Sequence, residues 1–91
     1  MRTFYCASNK RGYINEREAE KALEKGTLHI LYGRKDGRNP AIGVWVGKPK
    51  DTRGKTWSMW EETWTVPVRS ISEIDDFINP DYIPLSALER S

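Results

Sequence analysis

Ninety-one residues suffice for one domain and leave no room for a second core. A hydrophobic fraction of 37%, ten aromatic residues and two clear apolar periodicities exclude intrinsic disorder, and no apolar run approaches a membrane-spanning length. The single cysteine, Cys6, excludes an intrachain disulfide, and with one histidine the chain lacks the ligands of a zinc cluster.

The N-terminal stretch, Arg2 to Gly12, has no long apolar core, so a secretory signal is not expected there and a cytoplasmic location is. The net charge of +2 conceals an asymmetry. Residues 1–55 carry 13 basic and 6 acidic side chains, and residues 56–91 carry 2 basic and 7 acidic. Such polarity along a chain suggests a charged interaction surface, unless the two halves interleave in the fold.

Arg2 to Ser8 alternates as a strand, with Phe4 and Cys6 on one face and Thr3 and Tyr5 on the other. Asn9 to Gly12 breaks it. Asn15, with Glu18 three residues on, predicts a capped helix that Gly26 ends. Its apolar stripe is Ala19, Ala22 and Leu23, and Ile14 is placed as a staple against Ala19. So thin a stripe implies a helix lying close against a sheet.

Thr27 to Arg34 reads as a strand, Asp36-Gly37 as a hairpin turn, and Ala41 to Gly47 as the return strand. Gly43 and Gly47 flank Trp45 on its own face, leaving space for a ring, a backbone or a ligand. Lys48 to Lys55 is a basic loop. Thr56 to Val68 then holds three of the four tryptophans and reads as a strand with a bulge or a short helical turn before it. Alternation puts Trp60, Trp64 and Val66 on one face as core candidates and Trp57 on the other as a contact candidate. Ser70 with Glu73 predicts a second capped helix with the stripe Ile74, Phe77 and Ile78. Residues 81–91 form a tail, with Tyr82, Ile83, Leu85 and Leu88 spaced to dock on the body. The expected fold is a single two-layer α+β domain of order β-α-β-β-β-α over residues 1–91. Its sheet would have about four strands, mixed but mostly antiparallel, with helices on one face and a parallel crossover after the first strand.

From the first helix onward this order resembles that of the double-stranded RNA-binding domain. That family places lysines at the start of its last helix to span phosphates. Here Glu73, Asp75 and Asp76 stand there and would repel RNA, so the likeness is confined to element order and the chain is not assigned to the family.

No metal site and no cofactor are expected. The acidic pairs Glu61-Glu62 and Asp75-Asp76 lack the glycine and ligand spacing of a calcium loop, and the glycines between Gly33 and Gly43 are turn residues rather than a phosphate loop. Three functional readings remain. The first is a non-enzymatic binding protein, an inhibitor or adaptor of the phage-encoded, anti-defence type, acting on a nucleic-acid-handling protein complex. Trp57, Glu61, Glu62, Glu73, Asp75 and Asp76 would form its contact surface, because acidic charge steers encounter and tryptophan anchors interfaces. The second is direct binding of a single-stranded nucleic acid or nucleotide. Basic loops with flat rings beside them are the physical recipe for it, supplied by Tyr32, Arg34, Lys35, Arg38, Trp45, Lys48, Lys50, Arg53 and Lys55. The third is a metal-independent ribonuclease with His29 as base. A lone histidine between Leu28 and Ile30 more often serves packing than catalysis, so no enzyme is expected. An exposed edge or a tryptophan patch would equally serve a homodimer.

Overall fold

The computed structural model describes residues 3–34, 36–54 and 60–77, the last three as backbone only. Its elements are β1 (Thr3–Tyr5), β2 (Tyr13–Asn15), α1 (Glu16–Glu24), β3 (Leu28–Arg34), β4 (Ala41–Val46), β5 (Glu62–Pro67) and α2 (Ile71–Phe77). The expected tail, 81–91, lies outside the described residues, as do Ile78 and the packing of Phe77.

The fold is α+β, but its strands differ from the expected single sheet. A two-stranded antiparallel sheet, β1-β2, stands beside a three-stranded antiparallel sheet of order β4-β3-β5. The two are joined by one parallel bridge, Cys6 to Val44, and by the Ala7 amide donating to the Val44 carbonyl at 3.3 Å. The unexpected element is β2. Asn9 to Gly12 breaks the first strand as predicted, yet the chain turns straight back, pairing Phe4 with Ile14. Gly12 permits this turn by adopting a φ of 84°.

Asn15 then starts α1 with the full capping box. Its side chain accepts from the Glu18 amide at 2.8 Å, and the Glu18 carboxylate accepts from the Asn15 amide at 3.3 Å. Glu18 also receives Arg11 at 2.6 Å, so the hairpin loop is tied to the helix. That hydrogen bond, and the one from Asn15, hold the Glu18 carboxyl below its usual range. Ala19 and Ala22 are buried against Leu28 and Ile30, and their small side chains let the helix approach the sheet closely. Gly26 ends the helix with a φ of 74°.

β3 is the central strand, and its two faces have separate cores. Leu28 and Ile30 face α1, α2 and Val44, together with Phe4, Cys6, Val68 and Ile74. Leu31, on the opposite face, packs with Tyr5, Ile42 and Trp60. Leu28, Ile30, Leu31 and Ile42 are sealed from water, which is worth about 1.5–3 kcal/mol for each side chain. The β3-β4 turn takes positive φ at both Asp36 (54°) and Gly37 (78°), as the Asp-Gly pair predicts.

The basic stretch 48–54 is not a free arm. It leaves the end of β4, on one side of β3, and reaches the outer edge of β5, on the other. There the Thr52 amide donates to the Thr63 carbonyl at 2.8 Å and the Thr65 amide to the Lys50 carbonyl at 2.9 Å. Thr52 and Thr63 also hydrogen-bond through their hydroxyls. The strap therefore covers the β5 edge, which would otherwise present unpaired amides and carbonyls.

The second helix begins differently from its predicted box. The Glu73 carboxylate accepts from the Arg69 amide at 2.9 Å, and the Ser70 hydroxyl pairs with that of Ser72.

Gly43 is where β1 crosses β4. A Cβ there would lie 2.5 Å from the Tyr5 ring and 2.7 Å from the Tyr5 carbonyl oxygen. The space beside Trp45 is thus filled by a ring and a backbone. Gly43→Ala should destabilise the fold by about 1–3 kcal/mol in urea unfolding, the usual range for overpacking, because a backbone atom cannot move aside.

Candidate functional site

The antiparallel register of β3 and β5 sets Tyr32 opposite Trp64 and Arg34 opposite Glu62. All four share the sheet face that carries Leu28 and Ile30, at the end beyond the helices. The Tyr32 and Trp64 rings stack with centroids 5.8 Å apart and planes 16° from parallel. On the far side of β5, Asp51 bridges to Trp64, which brings Arg53 alongside, its guanidinium carbon 4.9 Å from the Trp64 ring centre. A tyrosine, a tryptophan and a guanidinium thus lie in one row across three neighbouring backbone segments.

This row borders an open depression of about 370 Å³ lined by Arg34, Gly37, Asn39, Arg53, Glu62 and Trp64. Gly37 and Asn39 reach it because the tight turn at Asp36-Gly37 holds the hairpin end beside the sheet. The volume is at the lower end of those that hold small ligands.

The charges here are loosely held. Arg34 meets Glu61 at 3.6 Å and Arg53 meets Asp51 at 4.0 Å, with the arginine side chains 50% and 60% exposed. Pairs of this kind contribute about 0–1 kcal/mol, so either guanidinium can be drawn to another anion at small cost. The Glu62 side chain, half-buried on the depression wall, has no hydrogen bond or ion pair among the described residues. Burial pushes the Tyr32 phenol above its ordinary value, so it stays neutral at physiological pH.

Of the residues expected to bind nucleic acid, the structure brings together Tyr32, Arg34 and Arg53. Trp45 lies on the opposite face with His29, its cross-strand partner. Its indole nitrogen donates to the Lys48 carbonyl at 2.8 Å, and the Lys50 ammonium sits 5.0 Å from its ring centre. The strap is therefore fastened to a tryptophan on each face, by Lys50 on one and Arg53 on the other. Arg38 is exposed on the hairpin. Lys35 and Lys55 lie outside the described residues.

Of the residues expected to bind a protein partner, Glu61 and Glu62 precede and open β5, whereas Glu73 follows its other end on α2. The six-residue strand between them spans about 20 Å at a rise of about 3.3 Å per residue. Trp57 and the side chains of Asp75 and Asp76 lie outside the described residues. His29 is 3% exposed, and its Nδ1 is buried with no hydrogen-bond partner among the described residues.

Trp64 was expected in the core with Trp60, and this needs correction. Trp60 is buried at 3% exposure over Gly33, while Trp64 is half-buried on the other face. Regular alternation begins only at Glu62, so extending it back to Trp60 misassigned the pair. A sequence signal was present in Glu62, which stands two residues before Trp64 and so brings a charge to the same face.

Among the described residues no group of three or more His, Cys, Asp or Glu side chains is placed to hold a metal ion. Nor, among them, is any helix long and apolar enough to cross a membrane. No protein-family model, curated protein or solved structure matches the chain.

The two tryptophans should separate in unfolding experiments. Trp60→Ala should cost about 3–5 kcal/mol, as core aromatic truncations do. Trp64→Ala should cost about 1–2 kcal/mol, from partial burial and the loss of one cross-strand pair.

Proposed function

We propose that this domain is a non-enzymatic binding module for single-stranded nucleic acid, with its ligand site at the Tyr32–Trp64–Arg53 row. The observation that carries the reading is the convergence of stacked aromatic rings and two weakly committed arginines on one open depression.

Magnitudes favour exchange at this site. The Arg53 guanidinium over Trp64 is worth about 0.5–1 kcal/mol at an exposed position. A nucleic-acid base stacked on the same ring is worth about 1–3 kcal/mol. A base therefore displaces Arg53 from Trp64 and extends the row from Tyr32 and Trp64 outward. The freed guanidinium then reaches the strand's phosphates or stacks on the outer face of the base. Arg34, at the same end of the sheet, supplies a second phosphate contact.

The reading as an inhibitor or adaptor, with an acidic surface directed at a nucleic-acid-handling complex, draws less support from the geometry. Its described carboxylates stand at both ends of β5.

Titration with a uniform single-stranded oligonucleotide tests the proposal. Binding is expected at low salt, with log K falling against log[salt] at a slope of about −1.4, as two phosphate contacts on a single strand require. Trp64→Ala should weaken binding by about 5- to 150-fold, the range of one base–aromatic stack. Arg34→Glu with Arg53→Glu should abolish it and flatten the salt dependence. No binding at low salt, or binding indifferent to Trp64→Ala, contradicts the proposal.

A further inference from the structure

We infer that the depression prefers guanine, read by the Glu62 carboxylate on the base's Watson–Crick edge; the inference rests on the nucleic-acid reading above.

The starting observation is that Glu62 breaks the basic character of its own site. Arg34 stands opposite it in the β3-β5 register, yet the Arg34 guanidinium turns to Glu61. Glu62 is left half-buried on the wall of the depression with no partner among the described residues. A carboxylate so placed repels phosphate and gives up part of its hydration, so for a strand held by charge alone it is a liability. It becomes an asset only when the ligand offers donors.

Ionised carboxylates only accept, and they do so through two oxygens side by side. The complementary group carries two adjacent donors. Among the bases, guanine alone has this pattern on its Watson–Crick edge, where N1–H and the N2 amine stand next to each other. Adenine and cytosine each set one donor beside a ring-nitrogen lone pair, which the carboxylate repels. Uracil and thymine set one N–H between two carbonyl oxygens.

Placement agrees with this chemistry. Glu62 and Trp64 are two apart on one strand and share a face, so they are separated by about 6.6 Å along it. A base stacked in line with Trp64 lies flat against the ring and directs an edge along the strand towards Glu62. Asn39, which lines the same depression, has side-chain N–H groups that can donate to the guanine O6 acceptor. Charge-assisted bonds of this type are the strong ones.

The test uses the whole chain and eight-nucleotide oligouridylates that carry one central guanine, adenine, cytosine or inosine, with guanosine monophosphate as a separate arm. The guanine strand should bind about tenfold more tightly than the adenine strand, within the range of a bidentate base contact. Inosine, which lacks the N2 amine, should fall between them. Glu62→Gln presents amide N–H donors beside its single oxygen, so it should erase the guanine preference. Its thermal unfolding should be unchanged, since the Glu62 side chain bonds to no described group. Guanosine monophosphate binding comparable to that of the guanine strand identifies a free nucleotide as the ligand, and much weaker binding identifies a strand. Equal affinity for all bases, or a guanine preference that survives in Glu62→Gln, overturns this inference and leaves the nucleic-acid reading standing. Binding of none of these probes overturns both.

Discussion

β3 is closed on both faces over its first half and on one face only over its second. Leu28, Ile30 and Leu31 are sealed between two separate cores, whereas Tyr32 and Arg34 stand where the helices no longer reach. α1 is nine residues long, about 13 Å at a rise of about 1.5 Å per residue. β3 is seven residues long, about 23 Å at about 3.3 Å per residue. With its alanine stripe lying across the start of the strand, α1 cannot shield the whole face. What remains open is the row that begins at Tyr32, and the site follows from that mismatch.

The strap at 48–54 converts this open end into something ordered. Its hydrogen bonds to Thr63 and Thr65 settle where Arg53 stands, and its two cation–ring contacts fasten it to Trp45 and Trp64 on opposite faces. The backbone of the strap is thus committed to the fold while the tip of Arg53 is held only weakly. A rigid backbone that carries a releasable charge suits ligand exchange, because little conformational entropy is lost when the guanidinium changes partner.

Much of this architecture was legible from local chemistry. The box at Asn15 and Glu18 involves groups three residues apart, so spacing alone specifies it. The positive φ values at Asp36 and Gly37 follow from the same logic, and so do the alternating faces of Phe4, Cys6 and Tyr5. The features that were missed are non-local. Tyr13 to Asn15 is too short to show alternation and became a strand only because β1 lay beside it. The 50–52 segment reads as a solvated basic loop until β5 offers it an edge. The site had been anticipated as basic loops with rings, and Tyr32, Arg34 and Arg53 do converge. Trp45, Lys48 and Lys50 belong to the opposite face, and that division depends on which way the strap crosses the sheet. Spacing alone puts Glu62 and Trp64 on one face, but their meeting with Arg34 and Tyr32 comes from the cross-strand register, which no spacing within one strand encodes.

The central claim is that ligand meets this domain at Trp64 and nowhere near Trp60 or His29. Two-dimensional ¹⁵N–¹H spectroscopy during addition of a short single-stranded oligonucleotide measures this residue by residue, since each tryptophan has its own indole N–H signal. Large shifts are expected for the Trp64 indole and for the amides of Arg53, Glu62 and Arg34, with the Trp60 indole and the α1 amides unmoved. Shifts centred on α2 or on the Trp45 face, or no shifts at saturating oligonucleotide and low salt, would contradict that claim.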